Sequence, residues 1–424
     1  MALFALLVTF LSVLLSLSVS VAANGGHGHG NAFPADPDDS ILGTNDVFLV
    51  CPETTSISSK AAYFHDHASQ RVTIKYGAVT VPPMTDNDGM AQFFHRATTL
   101  PCQDCFITYL SMGLEHADGR TADADTGMWL HHGVLINRNQ TDAVCGAVGQ
   151  RFAASGNERT AIEISAGGTF KAGYYIGASD EVSLAVDLMN MRQDRPQDDI
   201  VFTITYEYVH ARDAQGFSPI IPYWLDVGGC RTSDQPAYRD STFIYTSPVL
   251  LGTQQGTITF VGGHLHDGGT HINLIKNGKL SCGASAAYNP YANVNDAGTT
   301  EHISSIETCT MLGETTPGDG WFINAYYDTT LHEPMALMDG SLEPVMGIML
   351  LYVAQAVGQP EVNRPRYWTV VLGLGCLAAL VISIAAWLWV RERRAIRLKE
   401  SPFSGLIYKD PQPGQEASVP LMES

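Results

Sequence analysis

Between about residues 45 and 358 the chain is built of short runs in which apolar and polar positions alternate, each closed by glycine, proline, asparagine or aspartate. VTIKYGAVTVP, FITYLSMGLE, WLHHGVLIN, IVFTITYEYVH and HINLIKNGKL are of this kind. A period of two turns one face of each run toward a core and predicts half-buried strands. Long stretches of 3.6-residue period are nearly absent, so the pattern predicts an all-β protein. Many short strands separated by turn residues fit two tandem antiparallel β-sandwich, jelly-roll-like domains. The longest irregular stretch, 212–241, marks the boundary, giving an N-terminal sandwich over 45–215 and a C-terminal one over 216–358.

Two other runs are apolar throughout. Residues 1–23 carry no charge and end in small residues, which reads as a signal peptide. Residues 367–390 are long enough to cross a bilayer as a single transmembrane helix, with Tyr367, Trp368, Trp387 and Trp389 at its two ends. RERRAIRLK follows at once, five basic residues against one acidic. Positive charge marks the cytosolic side, so the chain reads as a single-pass type I membrane protein. Its ectodomain would be extracellular or in a secretory lumen. Residues 24–44 form a polar, Gly/Pro-rich lead containing His27 and His29. Residues 359–366 read as a stalk, and 391–424 as a cytosolic tail without regular structure.

The formal net charge of -19 argues against nucleic acid as a partner. Of eight cysteines, Cys376 falls in the apolar span, which leaves seven for the exported part. An oxidising compartment makes disulfides the default, and Cys102-Gln-Asp-Cys105 reads as a structural disulfide, since no second CxxC accompanies it to complete a zinc site. Seven is odd, so one thiol is free or pairs between chains. Asn139-Gln-Thr141 is a glycosylation sequon.

The chemistry lies in three clusters: Trp129-Leu-His131-His132, Gly263-His264-Leu-His266-Asp267, and the methionine-rich stretch 335–353 that includes Met346. On a strand His264 and His266 share a face. His131 and His132 serve one site only if the strand is twisted or bulged there. Imidazoles joined by a thioether suit copper that cycles between its two oxidation states. Asp267, His271 and His332 lie close enough in sequence to orient ligand rings.

The order of these clusters resembles the copper type II, ascorbate-dependent monooxygenases, the group of peptidylglycine α-hydroxylating monooxygenase and dopamine β-hydroxylase. That family has an adjacent His-His pair in a first sandwich. Its second sandwich carries an HxH pair, followed far downstream by a methionine at a strand start. The resemblance spans roughly 45–358 and implies two coppers. One, on His264, His266 and Met346, would activate dioxygen for C–H hydroxylation. The other, on His131 and His132, would deliver electrons from ascorbate or another reductant. The family's third ligand in the first domain is a histidine, and this chain has Asp187 in that register. Asp187, or His210 in ITYEYVHARD, would then complete the electron-transfer site. Glycines 262 and 263 stand where the family carries an arginine for a peptide carboxylate. The expected substrate is a small or peptide-like molecule, and a C-terminal glycine peptide is not favoured. A second reading keeps the fold without the reaction: a non-catalytic copper-binding, receptor or adhesion protein, favoured by the altered first site.

Overall fold

The computed structural model describes residues 52–292, 299–356 and 381–391. The signal peptide, the lead with His27 and His29, Cys51, Cys376 and the stalk lie outside these residues, as does nearly all of the tail. Of the apolar span at 367–390, only 381–390 is described, within a helix over 381–391. Among the described residues no helix is long and apolar enough to cross a membrane.

Among the described residues, apart from that helix and four short 3-10 turns, the regular structure is strand. The first half contributes β1 (Thr54–Ser59), β2 (Gln70–Val81), β3 (Met90–His95), β4 (Cys105–His116), β5 (Met128–Thr141), β6 (Val148–Ser155), β7 (Ala172–Ile176), β8 (Val182–Asn190) and β9 (Gln197–His210). The second half contributes β10 (Ser218–Asp226), β11 (Thr242–Thr246), β12 (Leu250–Leu251), β13 (Gly256–Leu265), β14 (Gly269–Lys276) and β15 (Lys279–Ala292). It ends with β16 (Thr299–Ile306), β17 (Cys309–Thr315), β18 (Gly320–Asp328) and β19 (Gly347–Gln355). The protein is all-β, as the period-two pattern predicts.

One sheet runs through both halves, in the order β1-β2-β9-β4-β7-β10-β19-β13-β17. Its halves join where β10 pairs β7 in parallel at Ser218↔Ala172. A four-stranded sheet, β3-β8-β5-β6, shares one core with this long sheet, and a sheet built around β11-β18-β14-β15-β16 shares a second. The side chains of β19 show how the layers divide. Ile348, Leu350 and Tyr352 enter the core shared with the four-stranded sheet, while Met349, Leu351 and Val353 enter the other. Because alternate residues of a strand point to opposite faces, β19 must be apolar on both. That is why GIMLLYVA is an unbroken apolar run, buried from end to end.

Disulfides join Cys102 to Cys105, Cys145 to Cys230, and Cys282 to Cys309. The CxxC pair is therefore a bridge, and three disulfides suit an oxidising, extracellular or secretory setting. Cys145–Cys230 ties the β5–β6 turn of the first half to the segment after β10 in the second. Asn139 is exposed near the end of β5.

Candidate metal centre

Four histidines converge where β5 of the four-stranded sheet faces the end of β13. On β5 the pairing with β8 shifts register between Leu130 and His132: Leu130 pairs Leu188, and His132 pairs Asp187. Two residues of β5 thus span one step of β8, and His131 is the bulged residue. The bulge lets adjacent histidines serve one place, with ring centroids 4.1 Å apart. His264 and His266, two positions apart, lie 5.3 Å from each other. His132 is 5.2 Å from His264 and 5.4 Å from His266, and His131 is 5.5 Å from His266. The resemblance implies two separate copper sites; the structure brings both histidine pairs into one cluster.

A hydrogen bond on the outer nitrogen fixes each ring. His266 Nδ1 is 2.7 Å from the carbonyl of Pro344, which can only accept, so that nitrogen carries the proton. His132 Nδ1 is 3.3 Å from Asp187 Oδ2, and His264 Nδ1 is 3.1 Å from Glu158 Oε2. His131 is turned the other way, with Nε2 2.5 Å from Glu343 Oε1. The other nitrogen of each ring faces inward. His132 Nε2 and His266 Nε2 face each other at 3.3 Å, and His131 Nδ1 and His264 Nε2 are buried with no hydrogen-bond partner. Potential ligand atoms of His131, His132 and His266 all fall within 4.8 Å of one another.

Electrostatics keep the facing pair neutral. Burial pushes His132 well below the usual histidine range, and the charges of His131, His264 and His266 add to the effect. Burial lowers His266 to about 4, against the pull of Glu343. Burial also works against ionisation of Glu343, but His131 outweighs it and holds the carboxyl at about 2. The same pair acts on His131, where burial is overcome by Glu343 and the net shift is upward. With their outer nitrogens protonated and their rings neutral, His132 and His266 direct two lone pairs at each other. A metal ion taken up there would satisfy both lone pairs at once. A site of imidazole nitrogens, each backed by a carboxylate or carbonyl, is the donor set copper takes.

The chain is 36% identical over 316 residues to probable copper-dependent oxygenase M1 of a Phoma species, covering 74% of this chain and 80% of that protein. The chain belongs to this copper-dependent oxygenase family. A second member, probable copper-dependent oxygenase clz3 of Cochliobolus lunatus, is 37% identical over 279 residues, covering 65% of this chain and 88% of that protein. No protein-family model matches the chain. Among solved structures, the glycosylasparaginase PNGase F of Flavobacterium meningosepticum aligns with 72% of this chain and 96% of its own, at 8% identity and a TM-score of 0.33. A likeness that low carries no argument about fold or activity.

Other sequence candidates occupy different places in this family member. Asp187 is fully buried behind His132, where it orients the ring through Nδ1. His210 ends β9 with its ring against Tyr208, and it pairs in register with Cys105 on β4. Met346 is buried and lines a cavity that His132 and His264 also line; its carbonyl accepts a 2.5 Å hydrogen bond from Tyr327. Asp267 orients none of the four rings, since its carboxylate takes the buried His302 Nδ1 at 2.6 Å. His271 stacks on Tyr326 and His332 on Tyr288. The residues that do orient the rings, Glu158 and Glu343 with the carbonyl of Pro344, escaped the sequence reading. Glu343 and Pro344 stand three and two positions before Met346, but nothing in the local pattern marks them as partners of distant histidines.

Proposed function

We propose that His131, His132, His264 and His266 hold a single copper centre, and that the protein is a copper-dependent monooxygenase hydroxylating a C–H bond of a small molecule. The observation that carries this is the 3.3 Å approach of His132 Nε2 to His266 Nε2 in a buried place, with Nδ1 of each ring turned to an oxygen acceptor. Bound copper would supply activation of dioxygen, so that one oxygen atom enters the substrate and the other leaves as water, with two electrons and two protons from ascorbate or a similar reductant. The chain's own part is to hold the ligand rings. Asp187, Glu158, Glu343 and the carbonyl of Pro344 each hold one ring by its outer nitrogen and turn the other nitrogen inward. Met346, on the cavity wall shared with His132 and His264, is the thioether available to the same centre.

This reading departs from the ascorbate-dependent monooxygenase resemblance at one point, since it replaces an electron-transfer site and a separate oxygen site with one centre. Residues 45–215 and 216–358 are read as two sandwich domains fused through the long sheet. The apolar run 367–390 is read as the membrane anchor, supported by its length and by the basic residues that follow. Copper content and ascorbate-driven oxygen consumption of the full chain test the proposal. Oxygen uptake that needs copper and is lost in His264→Ala supports it. Copper bound without any uptake would return the protein to the non-catalytic reading.

A further inference from the structure

The histidine cluster opens onto a cavity of about 360 Å³, within the range of small-molecule sites. At one end stand His132, His264 and Met346. The walls between are apolar, supplied by alternate residues of three strands: Val134 and Ile136 on β5, Ile348 and Leu350 on β19, and Phe260 on β13. The register shows which way the cavity runs. His264 on β13 pairs Ile348 on β19, and Leu350 on β19 pairs Trp224 on β10. The cavity therefore crosses two strand spacings to reach Trp224, a separation on the order of 10 Å.

The far end has a different character. The guanidinium of Arg151 lies over the Trp224 ring, 4.6 Å from its centroid, and Arg231 is exposed on the segment after β10. The Cys145–Cys230 bridge holds the two segments together there. The carboxylates at this end are already engaged. Asp142 accepts from the backbone of Val144 and Cys145 and from Arg151 Nε, and Asp226 accepts from Ser233, Trp224 and the Gly228 amide. Arg151 spends Nε on Asp142, and its Nη2 makes only a 3.5 Å contact with the Cys145 sulfur. Donor capacity on two guanidinium groups thus exceeds what the local acids use, at the end of the cavity remote from the histidines.

We propose that this cavity binds an elongated, largely apolar carboxylate. Its anionic end meets Arg151 and Arg231, its chain lies on the apolar walls, and its far end reaches His132 and His264. The proposal rests on the oxygenase reading, because it makes the histidine end the place where the reacting bond is presented. Guanidinium groups match a carboxylate in charge and fork geometry. The stacked ring of Trp224 and the disulfide hold the recognition end in place before the ligand arrives.

Decanoate, decanol and decylamine, titrated calorimetrically into the copper-free full chain, test this directly. Decanoate should bind at least ~10-fold more tightly than decanol, as expected for a charge-assisted hydrogen bond, and decylamine should bind weakest. Arg151→Gln also strips Asp142 of its partner, so Arg231→Gln is the cleaner variant. It should reduce decanoate affinity several-fold and leave decanol unchanged. Equal binding of decanoate and decanol, or a preference for the amine, overturns the proposal. Because the titration contains no metal, that failure is distinct from failure of the copper centre, which is read from copper bound by the same preparation.

Discussion

Glu343, on the segment entering β19, and His131, the bulged residue of β5, share a 2.5 Å hydrogen bond although they stand 212 positions apart in sequence. The bond clamps the first-half histidine pair to the second half of the chain at the candidate metal centre. Glu343→Gln keeps the shape and removes the charge, so His131 loses the partner that fixes its ring. Copper affinity, measured by competition with a chelator, should fall ~10–100-fold, the usual cost of losing a carboxylate behind a ligating histidine. Unchanged affinity would mean that His131 is not a ligand.

Gly156 explains how His264 fits where it does. A β-carbon at this position would meet His264 Cε1 at 2.6 Å and Nδ1 at 2.9 Å, and Glu158 Oε2 at 2.8 Å. Gly156→Ala should therefore push the ring off Glu158, at a cost of ~1–3 kcal/mol from overpacking. Copper binding should weaken while the far-UV circular dichroism stays that of the parent. Parent-like copper affinity in a folded Gly156→Ala protein would separate His264 from the centre.

Acid should destabilise the metal-free protein. His266 has an ordinary value of 6.5 and is lowered by burial to about 4, so between those values the unfolded chain takes up a proton that the folded one refuses. Its contribution is complete above pH 6.5 and is lost as the pH falls toward 4. Glu343, held at about 2 against an ordinary 4.5, contributes fully above 4.5 and loses that contribution as the pH falls toward 2. His131, whose value is raised, runs the opposite way, and its contribution fades as the pH rises through that raised value. The urea midpoint of the copper-free protein should fall between pH 6.5 and 4, and less steeply in His266→Phe. A flat profile would show that the rings are not buried neutral.

The Cys145–Cys230 bridge closes a loop of 85 positions across the two halves. Replacing both cysteines by serine should cost ~2–4 kcal/mol in denaturant unfolding, since the unfolded chain is no longer restrained. Copper content should be retained, because the bridge lies at the far end of the cavity from the histidines. Copper lost together with the bridge would mean that the two ends are not independent.

The all-β character was legible because it rests on a local signal, the period of two, and the motifs His131-His132 and His264-Leu-His266 stand out just as locally as candidate ligands. The need for a bulge at His131 was also legible, since adjacent strand residues otherwise point to opposite faces. What the sequence did not show was that the two motifs meet. Their meeting depends on one sheet running through both halves, fixed by the parallel pairing of β10 with β7 over two residues, too short to leave a pattern. Asp187 stood out as a candidate ligand, and only the register of β5 against β8 places it behind His132. Glu158 and Glu343 read as ordinary surface acids, and only tertiary packing buries them against rings more than a hundred positions away.

Copper content of His132→Ala and His266→Ala, each measured on the purified full chain beside the parent, tests the single centre most directly. One tightly held copper is expected in the parent, and its loss in both variants, because each removes one of the two nitrogens that face each other at 3.3 Å. Two coppers in the parent, with each variant losing only one of them, would contradict it and restore two independent sites.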